Sequence, residues 1–300
     1  MILGVVGDIV QDVVVFTQAP FAPGSDTPSR ITWRRGGSAA NVAAAAASLT
    51  PTRFIGCVGD DPMGRQLASS LPGVDVLLQT TVEAPTGTIA VVVGQDGERH
   101  MFPDRGANAC LTALDPAWLD GLAVLHATAY SLAGGTTAKT VTDSLRQAAA
   151  KGVVTSLDAS SVALIEQIGA SAFTDLVDDL APALVFANAA EATALGWSEP
   201  SPTHQWLVIV KDGGRPALVR TPRGAWTVPT TPLEASDTTG AGDAFAAGVL
   251  ASIVNKGLTR EDLQEIGEAQ AVELGLAGHL AAADWLRHQP VPPTTSRPWR

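Results

Sequence analysis

Leu122-Ala123-Val124-Leu125-His126, Val153-Val154-Thr155-Ser156-Leu157, Leu184-Val185-Phe186 and Trp206-Leu207-Val208-Ile209-Val210-Lys211 are four short apolar runs, separated by stretches of helical character at 137–150, 172–180 and 189–195. Runs this short, with little polar alternation, suit strands buried on both faces. Strands alternating with helices imply a mostly parallel sheet covered on both sides. The rhythm extends toward the N-terminus: an apolar run at 2–6 closed by Gly7, an Ala-rich helix at 38–49, a strand at 53–58, a helix at 62–70 and a strand at 74–78. Beyond Lys211 come a β-rich stretch at 218–228, an apolar helix at 241–254, a helical tail over 260–288 and an irregular segment at 290–300.

Two stretches break the alternation. Residues 11–35 carry β-type residues, prolines and no helical period, while 86–103 holds β-rich runs around the turn Gly94-Gln95-Asp96-Gly97. Placed between α/β units, they predict a small β-sheet projecting from one main domain that spans 1–300, and such a sheet can act as a lid.

Composition removes several classes of function. The 300 residues are 46% hydrophobic and 16% charged, a packed chain rather than a disordered one. A net charge of −11, with no run of Lys and Arg, argues against a nucleic-acid surface. Cys57 and Cys110, both in apolar stretches, form no disulfide framework or zinc site and read as buried reduced thiols. The N-terminus lacks the basic region of a signal peptide, and the apolar run 244–254 falls short of the ~20 residues a membrane helix needs. The expectation is a cytoplasmic protein without membrane or nucleic-acid partners.

Chemistry is concentrated in Asp237-Thr238-Thr239-Gly240-Ala241-Gly242-Asp243, which opens the apolar helix. Small residues at a helix start let several N–H groups converge on an anion, and a carboxylate in the first turn is favoured by the helix dipole. Asp243 beside such an anion hole could take a proton from a hydroxyl. Taken alone, the segment reads equally as a capped tight turn. The loop is not a dinucleotide fingerprint, since Phe245 stands where a third glycine or alanine belongs, and no P-loop motif is present. A second turn, Gly36-Gly37-Ser38-Ala39-Ala40-Asn41, also opens a helix. Gly37 permits close ligand approach and Asn41 offers donors and acceptors to hydroxyls, or Ser38 simply caps the helix with Asn41 solvated.

Taken in order, Gly7 to Asp12, Gly36 to Asn41, Phe54 to Gly64, Pro85-Thr86-Gly87, Asn188-Ala189-Ala190-Glu191 and Asp237 to Asp243 resemble the ribokinase, or PfkB, family of carbohydrate kinases. The resemblance runs from Ile2 to about Val254. It implies a three-layer α/β/α sandwich with a β lid, and ATP-dependent phosphorylation of a primary hydroxyl on a small sugar or nucleoside. By that resemblance Asp243 is the base, and the Gly240, Ala241 and Gly242 amides stabilise the transferring phosphoryl group. Asp12, Gly37 and Asn41 would hold the acceptor, with Asn188, Lys211, Gly213 and Thr238 near the nucleotide. Glu191 would hold Mg²⁺ through water, Asp237 and Thr239 would border a monovalent-cation site open to K⁺, and the lid sheets would pair in a homodimer.

Departures from the family pattern bear on the acceptor. The stretch Leu125 to Ser131 has no acid where ribokinase itself contacts its sugar, and the segment 269–283 lacks the usual Arg-x-Gly-Ala turn. Tyr130, at the carboxyl end of a strand, stacks on an acceptor or merely packs. Arg105 either favours an acidic sugar or pairs with Asp104, and His126 and Asp158 belong to the pocket or to the packing, packing being favoured for the histidine. Nucleosides such as adenosine or pseudouridine, keto-deoxy sugar acids, and a sensor without turnover stand as alternatives to a sugar kinase.

Overall fold

A computed structural model describes residues 1–197, 206–221, 223–231, 233, 235 and 237–288. The irregular terminus read at 290–300 lies outside the described residues. Thirteen strands are described: β1 (Ile2–Val6), β2 (Val10–Thr17), β3 (Ser29–Gly36), β4 (Thr52–Gly59), β5 (Val74–Thr81), β6 (Thr88–Val93), β7 (Arg99–Asp104), β8 (Leu122–Thr128), β9 (Val154–Asp158), β10 (Leu184–Asn188), β11 (Leu207–Lys211), β12 (Ala217–Thr221) and β13 (Gly224–Val228). The helices are α1 (Ser38–Ala46), α2 (Pro62–Ala68), α3 (Gly135–Ala150), α4 (Val162–Ile168), α5 (Ala170–Leu180), α6 (Ala189–Ala194), α7 (Ala241–Lys256), α8 (Arg260–Gln264) and α9 (Glu268–His288).

Nine strands form the main sheet in the order β13-β12-β11-β10-β9-β8-β1-β4-β5. All pairings from β11 to β5 are parallel; the β11–β12 and β12–β13 pairings are antiparallel, so β12 alone runs against the rest. The two apolar clusters, one under α1 and α7 and the other under α3 and α5, are the two sides that the continuous apolar strands require. Parallel order brings the carboxyl ends of β8, β9, β10 and β11 to one edge, placing Thr128 beside Asp158 and Asn188 beside Lys211 in register.

The two irregular excursions form a second sheet, β3-β2-β6-β7. Its two outer pairings are antiparallel, and the central pairing of β2 with β6 is parallel. Register places Asp12, Arg34 and Arg99 on one face and Val13, Ile31, Trp33 and Phe102 on the other.

The helical tail expected as one piece is two helices. Thr259 and Asp262 cap α8 reciprocally, and the break before Glu268 contains Gly267, a poor residue for a helix interior. Helix α4 was not anticipated. It ends at Gly169, whose φ of +91° turns the chain directly into α5. Cys57 is buried as expected, and burial pushes its thiol up to about 11, whereas Cys110 is only partly covered.

Helix α7 is apolar almost all round because it is enclosed between α1, the sheet and α9. Its contact with α9 requires glycine: a Cβ on Gly248 would stand 2.3 Å from the Ala277 carbonyl oxygen. Gly248→Val is therefore expected to cost about 1–3 kcal/mol of stability as an overpacked contact, read as a lower urea midpoint with the m-value retained.

Candidate active site

Two helix N-termini converge at the carboxyl edge of the sheet. Helix α1 begins at Gly37, whose φ of +97° and closeness to the Asp8 carbonyl, 2.5 Å from where a Cβ would be, admit no side chain. Asp8, just after β1, accepts the Ser38 N–H on Oδ2 at 2.9 Å, while its Oδ1 accepts the Thr128 hydroxyl at 3.2 Å. With its N–H held by Asp8, Ser38 does not cap the helix with its side chain. Its hydroxyl instead donates to Asp243 Oδ1 at 2.6 Å.

Asn41, one turn on, donates from Nδ2 to Asp243 Oδ2 at 2.9 Å. Arg35 donates to the Asn41 Oδ1 at 2.8 Å. Asp243 thus sits in the first turn of α7 with both oxygens held by α1 side chains. Burial pushes its carboxyl up to about 6, against the opposing hydrogen bonds from Ser38 and Asn41 and the charge of Lys211. The N–H groups of Gly242 and Asp243 have no partner among the described residues. The Ala241 N–H is committed to the Thr238 carbonyl at 3.1 Å and is the least suited of the loop amides to hold an anion. Gly240 has φ +78°, and a Cβ there would strike the Trp285 indole.

Along the sheet edge, Lys211 Nζ lies 2.5 Å from Asp158 Oδ2 and 3.5 Å from the Gly242 carbonyl oxygen. Burial works to lower the Lys211 ammonium, but Asp158 holds it above the usual lysine range. The alternatives left open for two residues are thereby separated. Asp158 belongs to the site, while His126 is fully buried against Phe186, 3.1 Å from the Ser156 hydroxyl, with its pKa lowered to about 4 by desolvation.

Asn188 and Glu191 bond each other reciprocally as the capping box of α6. Burial, with Asp158 nearby, raises the Glu191 carboxyl. Asp158 already accepts from Lys211 and Ser160, and Glu191 from Asn188, so the pair suits Mg²⁺ held through its own water shell rather than by direct ligation. Gly213, with φ +57°, and Thr238 are both exposed. Tyr130 is 39% exposed, and its hydroxyl donates to the Ser160 carbonyl at 3.3 Å. Arg105 makes no ion pair with Asp104: it is half-buried, and burial lowers its guanidinium against the charge of Asp8.

The lid is fastened to the loop. Arg34 bridges Asp12 at 3.3 Å and Asp237 at 3.0 Å. From the opposite edge strand of the lid, on the same face, Arg99 reaches Asp237 at 2.9 Å and also bonds the Thr239 hydroxyl. Burial acts to raise the Asp237 carboxyl, but hydrogen bonds from Thr239 and Arg99 hold it far below the usual range. The Thr239 carbonyl accepts the Trp285 indole N–H at 3.0 Å. Both groups expected beside a monovalent cation are therefore occupied by protein donors, two of them cationic, and the set does not fit K⁺. Asp12, 7% exposed, is raised by desolvation in spite of Arg34.

Sequence reading missed Asp8, Ser160, Arg34, Arg99 and Trp285. Ser160 holds φ +70°, with its N–H on Asp158 Oδ1 at 2.9 Å and its hydroxyl accepting the Ala129 N–H at 2.9 Å. Only Asp8 had a local signal, an acid directly after a buried strand.

The sequence pattern of the pfkB family carbohydrate kinases matches residues 3–274, and the chain belongs to that family. It is 34% identical over 258 residues to the ATP-dependent ribose-1-phosphate kinase of Halopiger xanaduensis, covering 82% of each chain. It is 29% identical over 241 residues to the fructokinase of Vibrio alginolyticus, covering 73% of this chain and 76% of the relative. Among solved structures, adenosine kinase from Sinorhizobium meliloti aligns with a TM-score of 0.80 at 24% identity, over 98% of this chain and 96% of that one, which establishes the shared fold.

A raised carboxyl has a definite effect on stability. The folded state retains a proton on Asp243 that the unfolded chain has already lost, so stability falls as pH rises from about 4 to about 6. Asp243→Asn is expected to raise the melting temperature at pH 8, with the gain vanishing near pH 4, as followed by thermal unfolding across that range.

Proposed function

We propose that this chain is an ATP- and Mg²⁺-dependent kinase that transfers the γ-phosphoryl group to a primary hydroxyl of a sugar. The observation that carries the reading is the carboxylate of Asp243, raised toward neutrality by burial and set beside the unpartnered N–H groups of a helix N-terminus. Asp243 is the base for the acceptor hydroxyl. The Gly242 and Asp243 amides and the Lys211 ammonium receive the charge of the phosphoryl group in transfer, with Gly240 supplying the turn. Asn188, Gly213 and Thr238 border the nucleotide, while Asp12, Gly37, Asn41, Arg105 and Tyr130 border the acceptor. Asp158 and Glu191 are the groups that would hold Mg²⁺, which neutralises phosphate charge when bound.

Positioning and electrostatics carry most phosphoryl-transfer catalysis. A sugar acceptor is favoured over a nucleoside by the names of the two curated relatives, a ribose-1-phosphate kinase and a fructokinase. The intact Asp243 and its loop speak against a sensor without turnover. The second face of the lid exposes Trp33 at 66% and Phe102 at 60%, the surface through which we propose that two copies pair.

A screen of sugars and nucleosides with ATP and Mg²⁺ tests the reading. Asp243→Asn is expected to lower kcat by about 10²–10⁴-fold with nucleotide affinity retained. For the native enzyme kcat/KM should fall as pH drops through about 6, where Asp243 takes up its proton. Near-native turnover of the variant would remove Asp243 as the base. Because Arg34 and Arg99 already serve Asp237, turnover is expected to be equal in potassium, sodium and choline salts at one ionic strength; activation by potassium alone would overturn that assignment.

A further inference from the structure

Arg35 and Arg105 make no ion pair among the described residues, and of the two Arg35 is the one that lines a cavity beside Asp12 and Asn41. Arg34 and Arg99 are spent on Asp12 and Asp237, whereas the hydrogen bond of Arg35 is made to a neutral acceptor, the amide oxygen of Asn41. Arg35 lines a cavity of about 330 Å³ together with Asp12, Asn41 and Thr239, and through Asn41 it stands one side chain away from Asp243. Burial lowers its guanidinium below the usual arginine range, against the pull of Asp243 and Asp12.

A partly desolvated guanidinium loses hydration that a neutral oxygen restores poorly. Arginine has five N–H donors in a planar fork that matches a carboxylate or phosphate, and bonds to such anions are roughly twice as strong as neutral ones. At Arg35 a single amide oxygen occupies that fork. Arg105, the arginine singled out in the sequence, does not line this cavity.

We infer that the acceptor carries an anionic substituent, a phosphate ester or a carboxylate, bound by Arg35 in this cavity while the hydroxyl to be phosphorylated meets Asp243. The inference rests on the kinase reading and narrows its acceptor to anionic sugars. The anion displaces the Asn41 amide from the guanidinium, and no covalent bond changes there.

Initial rates with ATP and Mg²⁺ on ribose 1-phosphate and gluconate, set against ribose and glucose, test it and separate the two anions. The native enzyme is expected to show kcat/KM about 10²-fold or more higher on one anionic acceptor than on its neutral counterpart. Arg35→Gln should collapse that ratio by about 10²-fold, chiefly through KM, and Arg35→Lys should recover part of it. Preference of the native enzyme for neutral sugars would overturn the inference, as would loss by the same factor on both classes, which marks Arg35 as a support for Asn41. If no acceptor is phosphorylated, the kinase reading fails by itself. Calorimetric binding of ribose 1-phosphate and gluconate then still decides: tighter binding of one of them to the native protein than to a folded Arg35→Gln variant upholds the site, and equal or absent binding of both overturns it.

Discussion

Everything at the site depends on one carboxylate shared between two helices. Asp243 belongs to the first turn of α7, yet its oxygens are bonded by Ser38 and Asn41 of α1, some two hundred residues earlier. Both helices point their N-termini at it, so two dipoles favour its charge while burial opposes it. The balance leaves its pKa raised to about 6. Asp8 completes the arrangement by holding the first amide of α1, which fixes where Ser38 can reach.

The fold was legible because its signals are local. Continuous apolar strands, alternation with helices and the Gly94 to Gly97 turn each state their own structure within a few residues, and all appear in the molecule. The first turn of α7 was legible for the same reason, its small residues being adjacent in the chain. What could not be read was contact across distance. Arg34 and Arg99 look like ordinary polar residues of an edge strand until two separate excursions place both on Asp237. Nothing in the sequence marks Trp285, two residues beyond the segment that lacks the family turn, yet its indole meets the Thr239 carbonyl. Gly169 and Gly267 were visible as glycines. Whether a glycine breaks a helix or lies within one depends on packing that a single sequence does not contain.

The charge balance also gains a physical meaning. A chain with net charge −11 can handle phosphate because its site uses backbone amides and a small number of cations, most of them held by carboxylates. Lys211 is matched to Asp158, and Arg34 and Arg99 to Asp237. Such pairing keeps the cations ordered in a low-dielectric cleft, where each one left over has a strong field.

The parallel pairing of β2 with β6 has a consequence for how the molecule is assembled. Because α1, β4, α2 and β5 lie in the chain between those two strands, the lid is not a separable module: its halves are sewn together through the body. The second sheet can close only after a strand from either side of that segment has been carried to the same place, a long-range step that is entropically slow. A grafted or excised lid would take β4 and β5 of the main sheet with it. Variation in this protein's lid is therefore confined to side chains and to the two hairpin ends, while its strand order is bound to the order in which the body itself is built.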